Sequence, residues 1–136
     1  VNVREHYGRL DVLALTSISE GQPFVILEAN CAGLPVVATD VGACREMLEG
    51  RTQEDRALGP SGLLTPVASP AATAAALERL ARNPDQARRM AEAGRKRVVK
   101  FYDIRDVMNR YLELYETLLY AGRFPAERAE AASKAG

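Results

Sequence analysis

Apolar positions along the chain come in short runs over the first half and at helical spacing over the second. Residues 11–16 and 34–39 are brief, apolar and unalternated, which predicts strands buried on both faces. Residues 62–67 form a third such run, and Pro66 marks its end or an edge. Between the first two runs, Pro23 opens a stretch in which Phe24, Leu27 and Cys31 recur at helical spacing, and Gly33 closes it as a C-cap signal. A short helix through about Gly8, with Asn2 and Glu5 spaced almost as a capping box, precedes the first strand. Another helix is predicted from about Cys44 to Glu49, and the polar, glycine-bearing residues 50–61 read as an exposed loop. From Ser69 onward the pattern is helical throughout, over 71–82, 85–100 and 104–120. Asn83 and Pro84 make the first break, and Asp103 is the expected N-cap of the last helix. Leu112, Tyr115, Leu118 and Leu119 give that helix one apolar face, and the Ala/Glu/Lys-rich residues 122–136 are expected to fray.

Strand, helix, strand, helix, strand, then helices is the order of an α/β layer with a parallel sheet. Three strands are few for such a sheet, so the pattern predicts its later part: a partial Rossmann-like parallel sheet followed by C-terminal helices. The expected domain is 1–121, truncated at its N-terminal side, with 122–136 as a tail.

Composition narrows the function. With 47% hydrophobic residues in 136, the chain suits one globular domain with a real core. Eighteen basic and eighteen acidic side chains cancel. That balance removes the general electrostatic case for nucleic acid or a membrane surface as partner. Two cysteines, Cys31 and Cys44, and a single histidine, His6, show no metal-ligand spacing. Cys31 reads as a small buried hydrophobe and neither cysteine demands a disulfide, which fits a reducing cytosol. No run of eighteen apolar residues and no signal peptide is visible, and a start at Val1 suggests part of something longer.

The chemistry concentrates in "SISEGQPFVILEANCAGLPVVATDVGACREML", residues 17–48, where Glu20 and Glu28 flank a Gly-Gln-Pro-Phe turn. In open parallel sheets, ligands sit beyond the carboxyl ends of strands, where loops lead into helix starts. A helix start offers unpaired amides and partial positive charge to phosphate, with Phe24 and Val25 as donors here and Gly21 allowing close approach. Glu20 can then face a sugar, while the Glu28 carboxylate can accept two hydrogen bonds at once, as a ribose diol requires. The same residues also suit an ordinary β-to-α turn, with Glu20 favouring the helix dipole and Glu28 a solvated helix residue.

Residues 15–50 closely resemble the E-x7-E segment of the retaining family-four glycosyltransferases, which are two-domain enzymes of GT-B architecture. Ser-Ile-Ser-Glu before the turn and Ala-Thr-Asp-Val-Gly-Ala-Cys-Arg-Glu after it look like the Pel exopolysaccharide subset (PelF type). "GLLTPVASPAATAAALERLARNP" and "FYDIRDVMNRYLELYETLL" resemble the strand and helices that follow in the family. The resemblance implies a C-terminal donor-binding domain that takes a nucleotide sugar, UDP-linked, for hexose transfer in exopolysaccharide synthesis. It also implies a cytoplasmic setting, no metal or other cofactor, and a membrane-associated polysaccharide synthase complex as a partner.

By position, Glu20 matches the catalytic-face glutamate and Glu28 the ribose-binding one. Gly21, Gln22, Phe24 and Val25 match the turn that meets sugar and diphosphate. Gly42 matches a glycine of a neighbouring loop, and His6, Cys44 and Glu46 gain no assignment. Pro23 stands where many relatives have glycine and cannot donate an amide hydrogen bond, so one donor contact is expected to be absent or supplied by Gln22 or Phe24. The family's Arg/Lys pair and its N-terminal acceptor domain lie upstream of this motif, so the isolated chain is expected to show no useful turnover. A stand-alone nucleotide-binding or protein-interaction module is the alternative. A nucleotide-sugar epimerase is disfavoured because its acid/base residues would also lie upstream.

Overall fold

The computed structural model describes residues 3–120. They run through α1 (Val3–Tyr7), β1 (Leu13–Leu15), α2 (Phe24–Ala32), β2 (Val36–Thr39), α3 (Cys44–Glu49), α4 (Gln53–Arg56), β3 (Gly62–Thr65), α5 (Pro70–Arg82), α6 (Pro84–Phe101) and α7 (Ile104–Tyr120). The three strands form one parallel sheet in the order β1-β2-β3, with Leu13 opposite Val36 and Val36 opposite Gly62. The fold is therefore the α/β, partial parallel-sheet architecture that the pattern predicts. The Asn2 capping residue and the 122–136 tail lie outside the described residues.

Two compact units divide at Tyr102 and Asp103. In the first, the central strand β2 is buried at every position, and alternation sends its side chains to two cores. Val36 and Ala38 join Ile26, Ala29, Cys44, Met47 and Leu48 on one face. Val37 joins Leu80 and Met90 on the other. Strand β1 departs from the expected burial on both faces: among the described residues it lies at an edge of the sheet, Leu13 and Leu15 are only partly covered, and Ala14 is exposed. An unalternated apolar run indicates that both faces can be covered, but cannot say that both are.

Helix α2 begins one residue later than the proline pattern suggests. Pro23 is its N-cap, at φ −71° and ψ 109°, and Gly33 ends it in the left-handed region, donating to the carbonyls of Ala29 and Asn30. The buried stripe is Ile26, Ala29 and Asn30. Phe24, Leu27 and Cys31 had marked the helix by their spacing, but Phe24 is 74% exposed and Cys31 is exposed, so Cys31 is not the buried hydrophobe expected of it. Both stripes fit a period of 3.6, and only packing chooses between them.

A further correction is the exposed loop expected over 50–61. It contains the one-turn helix α4, capped by Thr52, whose side chain accepts from the Asp55 amide at 3.2 Å. Asp55 and Ser61 are buried. The fully buried Arg97 guanidinium on α6 donates to the Asp55 carboxylate at 2.6 Å and to the carbonyls of Leu48, Asp55 and Gly59 at 2.9, 3.1 and 2.8 Å.

The second unit's described element is α7. Asp103 caps it as predicted, accepting from the Arg105 amide at 2.9 Å. The Arg105 guanidinium beside it helps hold the Asp103 carboxyl down at about 2. No residue of α7 is buried, and its predicted apolar face shows Leu112, Tyr115 and Leu119 exposed. Among the described residues, no helix is long and apolar enough to cross a membrane.

Candidate functional site

The turn carrying Glu20 leaves the carboxyl end of β1 and enters α2, the position where parallel-sheet proteins receive ligands. Three contacts fix it. Thr39, the last residue of β2, donates from its hydroxyl to the Ser17 carbonyl at 2.5 Å. The Ser17 hydroxyl in turn donates to the Glu20 carboxylate at 2.6 Å. From the β2–α3 loop, the Ala43 amide donates to the Gly21 carbonyl at 2.9 Å.

Gly42 makes that last approach possible. It has φ +52°, and a Cβ there would overlap the Glu20 carbonyl oxygen and lie 2.8 Å from both the Glu20 carbonyl carbon and the Gly21 oxygen. Beneath this junction lies Cys44, fully buried. Burial pushes its thiol up, a hydrogen bond with the Val41 backbone opposes this, and the charges of Glu20 and Asp40 add to it. A thiol held protonated in this way is packing material rather than a nucleophile.

The start of α2 is open. Gly21, Gln22 and Phe24 are exposed, and a Cβ added to Gly21 would meet nothing within 4 Å. Neither glutamate caps the helix: no side-chain bond caps Pro23, and no acidic residue stands in the first turn. The first amides of a helix have no intrahelical acceptor, so those of Phe24 and Val25 remain available, while the Ile26 amide turns back to the Pro23 carbonyl at 3.1 Å. Val25 is half-buried, packed against the core beside α2.

Glu28 lies one turn further along α2, as an exposed residue. Its carboxylate is not simply solvated, because the Tyr7 hydroxyl donates to Oε2 at 2.7 Å. Tyr7 is only 8% exposed and belongs to the main core. Burial first, then the bond to the Glu28 carboxylate and its charge, push the Tyr7 phenol up to about 12, so it stays a proton donor at neutral pH.

The structure thus brings Glu20, Gly21 and Gly42 into one junction and sets Phe24, Val25 and Glu28 in sequence on the first turns of α2. His6 and Glu46 are exposed and take no part in these bonds. Sequence reading missed Tyr7, Ser17 and Thr39 as supports. Ser17 carries a local signal, standing three residues before Glu20 in a polar turn. Tyr7 and Thr39 carry none, because their partners are remote in the chain.

Residues 1–97 match the family model described as "Glycosyl transferases group 1". The D-inositol 3-phosphate glycosyltransferase of Corynebacterium urealyticum is 35% identical over 128 residues, covering 93% of this chain and 28% of that protein. Among solved structures, sucrose-phosphate synthase from Thermosynechococcus elongatus aligns with TM-score 0.74 and 28% identity over 85% of this chain and 27% of its own. Anabaena HepE, crystallised in complex with UDP, aligns with TM-score 0.72 and 21% identity over 84% of this chain and 29% of its own. The chain spans under a third of the length of the proteins it matches.

Proposed function

Since the chain belongs to the glycosyl transferases group 1 family, we propose that it forms the donor-binding side of a retaining glycosyltransferase that transfers a hexose from a nucleotide sugar. The donor is UDP-linked, the setting is cytoplasmic exopolysaccharide synthesis of the Pel (PelF) type beside a membrane-associated synthase complex, and no metal takes part. One observation carries this reading: an exposed, uncapped helix start beyond a parallel strand, with Glu20 pinned before it and Glu28 one turn beyond it.

The division of labour follows from charge. The diphosphate lies at the Phe24 and Val25 amides, where partial positive charge meets the leaving group as the bond from the anomeric carbon to the diphosphate oxygen breaks. Gly21 and Gln22 border the sugar, and Glu20 is the catalytic candidate on its reacting face. Ser17 holds one Glu20 oxygen, which fixes the direction of the carboxylate before the sugar arrives. Glu28 accepts the two ribose hydroxyls. The acceptor oxygen bonds to the same face of the anomeric carbon that the diphosphate leaves. The resemblance assigns the acceptor domain and a cationic Arg/Lys pair upstream of this motif, so turnover belongs to the longer parent. Positioning of both reactants alone is worth roughly 7–11 kcal/mol of barrier.

Titration of the chain with UDP and UDP-hexoses by calorimetry tests the reading; the UDP-bound relative makes UDP the first nucleotide to try. Saturable binding is expected, weakened by Glu28→Ala about 10- to 100-fold, the worth of a charged hydrogen bond. No binding of any nucleotide, together with tight capture of another protein, would replace this reading with an interaction module.

A further inference from the structure

We propose that Tyr7 is a positioning residue that orients the Glu28 carboxylate for the nucleotide's ribose; this rests on the donor-site reading above. Glu28 stands on an exposed stripe of α2, where a glutamate side chain ordinarily samples several rotamers. Here a phenol anchored in the core reaches it from α1, far back in the chain, and takes Oε2 at 2.7 Å. Tyrosine suits this task because its ring is rigid and its oxygen lies at a fixed distance from a buried anchor. Among the described residues Tyr7 alone bonds the Glu28 carboxylate, so Oε1 and the remaining lone pair of Oε2 are left for hydroxyl donors.

A carboxylate held in advance loses less freedom when a diol binds, so the benefit appears in the ribose contact and nowhere else. The bland possibility is that Tyr7 only satisfies its own buried hydroxyl with the nearest acceptor. That possibility predicts a change in folding with no ligand-dependent signature.

The test pairs two nucleotides with one conservative variant. UDP and 2′,3′-dideoxy-UDP are titrated into the wild-type chain, into Tyr7→Phe and into Glu28→Gln, with thermal denaturation of each protein alongside. Expected is a loss of UDP affinity in Tyr7→Phe of about tenfold, with dideoxy-UDP affinity unchanged. Equal weakening for both nucleotides, or no weakening for either, overturns the positioning role. If wild type binds UDP and dideoxy-UDP equally, the ribose assignment of Glu28 itself fails, and that outcome is visible before any Tyr7 variant is read. Glu28→Gln keeps an acceptor oxygen for Tyr7 but loses charge, so its dideoxy-UDP affinity checks that the fold of α2 survives.

Discussion

At Gly42 the backbone occupies φ +52°, and the missing side chain leaves room for the Glu20–Gly21 peptide, which the Ala43 amide then holds at 2.9 Å. Gly21 faces open space and needs no positive φ. The two glycines therefore separate folding from ligand approach. Gly42→Ala must adopt an unfavoured conformation, at a cost of about 1–2 kcal/mol, and also push the Glu20 carbonyl away. Urea denaturation should show a loss above about 2 kcal/mol, with UDP affinity falling as the turn shifts. Gly21→Ala should leave stability within about 0.5 kcal/mol while weakening UDP if the diphosphate passes close to that backbone. A Gly42→Ala protein with unaltered stability and binding would show that the junction does not set the site. Both glycines were legible in the sequence as turn residues. Which of them needed to be glycine was not, since the atoms that crowd Gly42 come from the turn before α2.

Among the elements, α6 shows best what a helical pattern conceals. Its sequence is rich in charge, yet Met90, Ala93, Gly94 and Arg97 form one buried stripe at i, i+3, i+4 and i+7. That spacing was present in the sequence and would have set Arg97 apart from its neighbours Arg95 and Lys96. The partner was harder to see, because Asp55 sits in a polar segment with every local sign of an exposed loop. Its burial depends on a cation brought from a distant helix to one carboxylate oxygen and on the Arg51 amide, which donates to the other at 3.0 Å. Arg97→Met should cost about 3–5 kcal/mol, the typical penalty for stranding a buried charge. Arg97→Met combined with Asp55→Leu should recover part of that loss, because no charge is left behind. It should not recover all, because the carbonyls of Leu48, Asp55 and Gly59 still lose their donors. A urea double-mutant cycle reads the coupling, and strict additivity of the two changes would mean that the pair does not act as a unit.

For the molecule as a whole, the three strands and every described helix but α4 were legible because short apolar runs and the prolines and glycines between elements announce them, while the edge position of β1 depended on a register that no single strand encodes. The division at Tyr102 gives this a consequence for binding. Tyr7, Ser17, Glu20, Gly21, Phe24, Val25, Glu28, Thr39 and Gly42 all precede it, and both hydrophobic cores are made of residues up to Tyr102. Helix α7 contributes no buried residue and exposes Met108, Leu112, Tyr115 and Leu119. If the donor site belongs to the first unit alone, a chain ending at Tyr102 should bind UDP within about twofold of the full chain, as independent sites do. UDP at about a hundred times its Kd should add about 2.7 kcal/mol to the unfolding free energy of both proteins, because a ligand bound only by the folded state stabilises it by mass action. Thermal denaturation with and without UDP measures that shift as a rise of several degrees in Tm. A truncated protein that keeps its own cooperative transition but no longer responds to UDP would assign part of the site to the second unit, and the donor pocket drawn from Glu20, Glu28 and the first turn of α2 would then be incomplete.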